Sequence, residues 1–174
     1  MCYHTDSTFF EVILMIRKAT MNDMPAIDAV YAAARRFMAA NGNPNQWGTT
    51  NPPRERLVQL VSAGELHVEE TDGAIHAAFS LTFGDDPTYG IIDDGEWLSD
   101  EPYAAIHNVA SDGTVSGFFT RCVAFCRERS NHLRIDTHAD NKVMQHLVTK
   151  HGFTRRGIIY LANGSPRIVY EWMK

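Results

Sequence analysis

Hydrophobic and polar positions along the chain follow two periods, and the change between them separates predicted helices from predicted strands. Between residues 20 and 40 apolar side chains recur at helical spacing, which is typical of a helix with one buried face. Between residues 65 and 83 apolar and polar residues alternate on either side of Asp72-Gly73, a dipeptide that favours tight hairpin turns. The pattern predicts helical structure first and a β-hairpin after it.

The same criteria predict strands and helices along the whole chain, without repeats or linkers. Strands are expected at 12–19, 65–70, 74–83, 103–110, 133–137, 153–161 and 167–172. Helices are expected after Thr20 or Asn22, at 53–63, after the turn at 113–117, and at 141–151 with Gly152 as the stop. The resulting order, β-α-α-β-β-β-α-β-α-β-β, indicates one mixed α/β domain.

The length of 174 residues fits a single domain with a sizeable core. We expect this domain at 15–174, because Met15 directly precedes a segment, Ile-Arg-Lys-Ala-Thr, that resembles the opening of many compact enzymes. Residues 1–14 are expected to be an N-terminal extension, an alternative start or an added segment. The apolar run at 9–16 is too short to span a bilayer, and no basic segment precedes it.

Charge and cysteine content exclude several classes of function. The formal net charge is −5 and the basic residues are scattered, so we expect neither a nucleic acid nor a membrane as partner. Cys122 and Cys126 lie one helical turn apart in an apolar run and are expected to pack as reduced thiols instead of binding zinc. We therefore expect a cytoplasmic protein with no metal site.

Residues 113–117, Gly-Thr-Val-Ser-Gly, form a tight turn into a predicted helix. A helix N-terminus presents unpaired N–H groups and a partial positive charge, so such a turn is a natural seat for a diphosphate. Gly117 lets the backbone approach the phosphates closely, and two hydroxyl groups can add donors. The candidate anion-binding residues are Thr114, Val115, Ser116, Gly117 and Phe118.

Two motifs and the order of elements resemble the GNAT superfamily of N-acetyltransferases. Val109, at a strand end, precedes Gly117 by the eight positions that separate this strand from the family's pyrophosphate loop. A second signature of the family is matched by Asn141, Met144, Leu147 and Gly152-Phe153. The resemblance covers nearly everything from Met15 to Lys174, and the segments 43–48, 106–110 and 133–141 look like a subgroup of uncharacterised bacterial members.

The resemblance implies the GNAT fold, a mixed central sheet with helices on both faces, and acetyl-CoA as the acetyl donor. It implies that the strand ending at Val109 and Ala110 offers main-chain amides to the pantetheine arm and to the oxyanion of the reaction. Asn141 and Leu147 would belong to the same cofactor site. The implied activity is acetyl transfer to a primary amine of a small molecule or peptide, by direct attack in a ternary complex.

Three positions depart from the family pattern. Thr114 stands where Arg or Gln is usual, and Phe119 stands where a second Gly or Ala is usual, so we expect weaker phosphate affinity and a crowded helix entry. Val148 replaces the Tyr that protonates the departing thiolate in many members. Tyr160, a water or unassisted departure would take its place. These departures keep a second hypothesis open, a non-catalytic module that binds CoA or another ligand.

An amine with a pKa near ~10.4 must lose a proton before it attacks, and histidine is the usual proton acceptor near neutral pH. Strand alternation predicts His107 on the same face as Val109, towards the cofactor cleft; the alternative is a buried histidine that bonds a carbonyl. His138 follows Asp136 at the end of the next strand and is a second candidate base. Its alternative role is to fix the strand-to-helix turn.

The acidic segment at 93–101 is the main substrate clue in the sequence. Carboxylates beside an indole suit a cationic amine, so Asp94 and Trp97 are candidate acceptor-site residues. Asp94, Glu96 and Glu101 are alternative candidate bases that would act through a water. Trp47 would form the other wall of the acceptor pocket. The alternatives are a solvated loop for the acidic run and an aromatic plug over the sheet for Trp47. Exposed terminal strands would allow a homodimer, by analogy with relatives.

Overall fold

The order of secondary-structure elements is the predicted one. The structure, a computed structural model, describes residues 14–174, so the predicted extension at 1–14 lies outside the described residues except for Leu14. The strands are β1 (Leu14–Lys18), β2 (Leu66–Thr71), β3 (Ala74–Phe83), β4 (Ala104–Ser111), β5 (His132–Thr137), β6 (Thr154–Tyr160) and β7 (Pro166–Met173). The helices are α1 (Met24–Ala40), α2 (Arg54–Ser62), α3 (Phe118–Arg127) and α4 (Lys142–Lys150).

All seven strands form one sheet in the order β1-β2-β3-β4-β5-β7-β6. β4 and β5 are parallel, and every other neighbouring pair is antiparallel. The predicted hairpin turn joins β2 to β3 with positive φ at both Asp72 and Gly73, which suits the right-handed twist of the flanking strands. The mixed sheet predicted from the sequence is therefore confirmed.

Helices cover both faces of this sheet because successive side chains of each strand point to opposite sides. Phe79 of β3 packs in the cluster that α3 and α4 cover. This cluster includes the buried thiols of Cys122 and Cys126. Ala78 packs on the other face, under α1 and α2. None of the helices between residues 14 and 174 combines the length and apolar character needed to cross a bilayer.

The acidic segment between β3 and β4 covers the part of the sheet that α1 and α2 leave open. Tyr89 packs on Ala105, Ile159 and Val169, and Trp97 joins the same cluster. The Trp97 indole donates to the carbonyl of Tyr89, and a short antiparallel bridge ties Asp93 to Ile158 of β6. The segment therefore lies as a layer on the sheet through Tyr89 and Trp97, while its acidic residues between 93 and 101 are exposed to solvent, as in a solvated loop.

A buried cluster of charged residues binds the end of this layer to the sheet. Glu171 of β7 is fully buried and accepts from His132 at 2.6 Å, from Arg134 at 3.0 Å and from the backbone N–H of Leu98. The Arg134 guanidinium lies between the rings of Trp97 and Tyr103, at 3.9 and 4.0 Å. These partners compensate the charge that Glu171 brings out of water.

Replacing Gly95 by alanine tests whether the acidic segment is docked on β6. A Cβ on Gly95 would overlap the carbonyl of Arg156, whereas a Cβ on Gly84, which also has positive φ, would meet no atom within 4 Å. We expect Gly95→Ala to lower the free energy of unfolding by about 2–4 kcal/mol, measured by urea denaturation. Gly84→Ala gives the cost of the backbone conformation alone, and equal losses in the two variants would contradict the docking.

Candidate active site

The parallel strands β4 and β5 separate halfway along their length. They pair only from Ala104–Leu133 to Ile106–Ile135, although β4 continues to Ser111 and β5 stays paired with β7 as far as Thr137. A cavity of about 960 Å³ opens between the diverging ends. This volume is at the upper end of the range for small-molecule sites.

A β-bulge in β4 marks the point of separation. Ala110 pairs with Ala78 and His107 with Ser80, so that Asn108 and Val109 together stand opposite one residue of β3. Asn108 has φ 55°, a left-handed conformation. The buried Tyr31 hydroxyl donates to the Asn108 carbonyl at 2.6 Å, and the Asn108 side chain donates to Ser80 Oγ at 3.0 Å. These bonds compensate the pairing that the bulge removes from the ladder.

The bulge changes which side chains share a face. Val109 packs against the cluster under α3, whereas His107 lies on the opposite side, next to Tyr89 at a ring distance of 5.6 Å. The prediction that His107 and Val109 point the same way is therefore wrong, because one extra residue shifts the alternation of the strand. Both residues nevertheless line the cavity, one on each side of Asn108.

The turn into α3 forms one end of the cavity. Gly117 has φ 77° directly before the helix, and the backbone N–H groups of residues 115–120 have no hydrogen-bond acceptor within the described chain. The Phe119 side chain is buried and meets His151 edge-on at 5.3 Å, which leaves these N–H groups free. The lining residues from this turn and helix are Gly113, Val115, Gly117, Phe118, Phe119 and Thr120.

Thr114 is engaged elsewhere and, like Ser116, does not line the cavity. Its hydroxyl donates to Asp112 Oδ1 at 2.6 Å and lies 2.6 Å from His76 Nδ1. Burial raises the pKa of Asp112, but the bonds from Thr114 and His76 outweigh burial and hold it below its usual value. An ionised carboxylate, which no sequence motif indicates, therefore lines the cavity next to the turn that carries the free N–H groups.

Asn141 connects α4 to the loop between α1 and α2. Its Oδ1 accepts from the N–H of Met144, so the predicted helix cap is confirmed, and its Nδ2 donates to Gln46 Oε1 at 3.0 Å. Asn141, Gln46, Leu147 and Trp47 all line the cavity, and the Trp47 ring packs on Tyr31 at 5.7 Å. The two elements therefore meet at the wall of the cavity.

A histidine held between two carboxylates forms the other end of the cavity. His107 Nε2 lies 3.1 Å from Asp86 Oδ2, and Nδ1 lies 3.3 Å from Asp136 Oδ1, which also accepts from the Tyr89 hydroxyl at 2.9 Å. We call these four residues the His107 cluster. Burial lowers the pKa of His107, but the two carboxylates outweigh it and raise the pKa to about 9.

The imidazole of His107 is therefore an imidazolium at neutral pH. The pKa of Asp86 shifts in the opposite direction. Hydrogen bonding to His107 and Thr88 holds it well below its usual range, although burial opposes this. A protonated imidazole has no lone pair with which to accept a proton from an amine. Asp86 and Asp136 line the cavity with His107, although no motif in the sequence indicates either of them as a site residue.

The other predicted acceptor-site residues do not line the cavity. Asp94 pairs with Arg155 at 2.8 Å, the carbonyl of Glu96 accepts from Arg156, and Trp97 belongs to the packed layer described above. His138 accepts from the N–H of Asp140 in the turn before α4, which is its alternative, structural role. The acidic segment precedes β4 in the chain, which suggests that it lies close to the cavity. The bridge between Asp93 and Ile158 of β6 instead holds it at the far edge of the sheet.

No proton donor for a departing thiolate is found at the positions considered from the sequence. Val148 is fully buried in the core, and Tyr160 is 51% exposed and does not line the cavity. Thr137 Oγ1, in contrast, is a buried hydroxyl without a hydrogen-bond partner in the described chain, and Thr137 lines the cavity.

Comparison with known proteins gives similarity only at the level of structure. No family model and no curated protein matches the chain. A GNAT-family acetyltransferase from Streptococcus agalactiae is 26% identical, with a TM-score of 0.79 over 92% of this chain and 95% of that one. Another from Listeria monocytogenes is 17% identical, with a TM-score of 0.69 over 94% and 100%. The protein yncA from Salmonella typhimurium, whose structure contains its cofactor acetyl-CoA, is 16% identical, with a TM-score of 0.57 over 92% and 93%.

The diverging parallel strands and the free N–H groups before α3, together with these similarities, define the class of protein: the chain has the fold of the GNAT acetyltransferases. It is a member of the GNAT superfamily, as the sequence motifs indicated.

The raised pKa of His107 predicts how the stability of the fold depends on pH. A group whose pKa is higher in the folded state stabilises the fold fully below its unfolded value of 6.5, and this contribution disappears as pH rises through about 9. We expect His107→Gln to lose about 2–3 kcal/mol relative to the wild type at pH 6, and little at pH 10. Urea unfolding at both pH values measures the difference.

The exposed His146 provides the control, since it contacts no carboxylate in the described chain and its change to Gln should have little effect at either pH. A loss in His107→Gln that grows with pH would contradict the ion-paired cluster.

Proposed function

We propose that this protein transfers the acetyl group of acetyl-CoA to a primary amine in a ternary complex. The observation that carries the proposal is that one cavity joins two chemically different ends. One end presents free backbone N–H groups before α3, and the other presents the carboxylates of the His107 cluster. The first suits a diphosphate and the second suits a cationic amine.

The donor substrate lies, in this proposal, along the edge of β4 that separates from β5. The diphosphate accepts from the N–H groups of residues 115–120, and the pantetheine arm passes Val109 and Ala110 towards the bulge. Asn141 and Leu147 contact the arm from α4. The known structure of yncA with acetyl-CoA supports this use of the fold.

The acceptor amine enters as an ammonium and lies against Asp86 and Asp136. Loss of one proton exposes the nitrogen lone pair, which attacks the thioester carbon; the new C–N bond forms and the C–S bond breaks. The products are the N-acetyl compound, CoA and one proton released to solvent. Backbone N–H groups at the bulge stabilise the oxyanion, and the Thr137 hydroxyl is available to the departing thiolate.

Asp136 accepts the amine proton in this scheme. Its Oδ1 is occupied by Tyr89 and His107, and its Oδ2 has only a distant contact, 3.9 Å to Arg167 Nε. His107 fixes the two carboxylates and does not act as the base itself, because both of its ring nitrogens face an acid. The proton then passes from the carboxylate to water.

Asp136→Asn tests the acceptor end of the cavity. We expect kcat to fall by about 10²-fold or more, because the amide cannot take the proton, while acetyl-CoA affinity changes little. Steady-state release of CoA thiol measures kcat, and the shift in melting temperature measures binding. Asp140→Asn, an exposed change on the same chain segment, is the control; an unchanged kcat in Asp136→Asn would exclude this residue as the proton acceptor.

Asp112→Asn tests the donor end. Removing an ionised carboxylate beside the free N–H groups should lower the Kd for acetyl-CoA by about threefold to tenfold at low salt, and less at 0.5 M salt. S-Acetylpantetheine, which has no diphosphate, should bind about 100-fold more weakly than acetyl-CoA to the wild type and be indifferent to the change. Calorimetric titration measures the Kd of both ligands. If Asp112→Asn changed the two Kd values by the same factor, the diphosphate would have to bind elsewhere.

The second hypothesis is a GNAT-shaped module that holds CoA without turnover. Thr114 and Val148, which replace residues usual in the family, are the observations that favour it. A panel of primary amines separates the two hypotheses. Release of CoA thiol with any of them supports the enzyme, whereas tight acetyl-CoA binding without release on the whole panel supports the module.

A further inference from the structure

Arg167 brings a positive charge to the carboxylate end of the cavity. It is the second residue of β7, it lines the cavity, and its side chain is only 8% exposed. Nη1 donates to Ser165 Oγ at 2.6 Å and to the Pro166 carbonyl at 2.9 Å. Nη2 has no acceptor within residues 14–174.

The charge of this guanidinium is not fully compensated by the protein. Its nearest carboxylate, Asp136, is 3.9 Å away, and one oxygen of that carboxylate already accepts from Tyr89. Burial lowers the pKa of Arg167, although Asp136 opposes the effect. A buried guanidinium with unused donors is costly unless a ligand satisfies it, and its planar fork matches a carboxylate.

The arrangement of charges at this end is complementary to a zwitterion. Asp86 and Asp136 suit an ammonium group, and Arg167 beside them suits a carboxylate. An α-amino acid carries both groups on one carbon, closer together than the ~3.8 Å between neighbouring Cα atoms. The 3.9 Å between Arg167 Nε and Asp136 Oδ2 allows one such molecule to touch both side chains.

We infer that the acceptor is a free amino acid, whose α-amino group lies against Asp86 and Asp136 while its carboxylate pairs with Arg167. This inference rests on the proposed acetyl transfer. In the reaction the amino group gains the acetyl carbon, the thioester C–S bond breaks, one proton leaves and the carboxylate is unchanged. Phe37, Met38 and Trp47 line the cavity from α1 and the loop after it, and they offer apolar contacts to the amino acid side chain.

Matched pairs of an amino acid and its decarboxylated amine isolate the contribution of the carboxylate. Phenylalanine is compared with phenethylamine, and leucine with isoamylamine, by kcat/KM for CoA release. We expect each amino acid to be preferred by at least about tenfold, the value of one charge-assisted hydrogen bond. Phenylalaninamide, which keeps the shape without the charge, should behave like phenethylamine.

Arg167→Gln should abolish this preference by lowering kcat/KM for phenylalanine at least about tenfold, with the value for phenethylamine kept within about threefold. Arg167→Lys retains the charge and should retain part of the preference. Arg155→Gln makes the same change at an exposed arginine outside the cavity and should alter neither substrate. Melting temperature and acetyl-CoA affinity establish that each variant is folded.

The possible failures of the two ideas are distinguishable. Equal turnover of both members of each pair, or equal losses for both in Arg167→Gln, would overturn the amino acid inference and leave acetyl transfer to amines intact. Acetyl-CoA binding without CoA release from any member would overturn the proposed function and the inference with it.

Discussion

The architecture of the site depends on a single irregularity, the left-handed Asn108 in the middle of β4. A regular strand would continue to pair with β5, and no space would remain between them. The extra residue is held by the buried Tyr31 hydroxyl on one side and by Ser80 on the other. Both are fully buried, so their hydrogen bonds are not exchanged with water. The bulge is thereby fixed, and β4 and β5 diverge after Ile106.

At two places between residues 14 and 174 a histidine and an arginine approach the same carboxylate, and burial distinguishes the roles of these two places. His132, Arg134 and Glu171 are sealed under Trp97 and Tyr103, where every charge has a partner. In the His107 cluster Asp136 lines a cavity, and its Oδ2 has only the 3.9 Å contact with Arg167. The same side-chain chemistry therefore fastens a packed layer at one place and forms a candidate binding site at the other.

Departures from the family pattern have structural explanations here. Phe119 does not obstruct the start of α3, because its ring turns into the core and meets His151. Thr114 forms part of a bonded group with Asp112 and His76, so the turn carries a negative charge where a basic residue is usual. The proposed seat for a diphosphate then offers backbone N–H groups at the position of that basic residue, and their strength comes from geometry and the helix dipole.

The sequence by itself determined the order of strands and helices, the hairpin turn at Asp72-Gly73 and the Asn141 cap, because periodicity, turn chemistry and capping act within a few residues. It also indicated Gly117, Trp47 and His107 as residues that line the cavity. Only the tertiary structure placed Asp86, Asp136 and Arg167 together, since they lie far apart in the chain and meet through sheet pairing. Sheet pairing also carried Asp94, Glu96 and Trp97 away from the cavity. An acidic residue has the same local signature on an exposed loop and in a binding site, and only the contacts formed on folding separate the two.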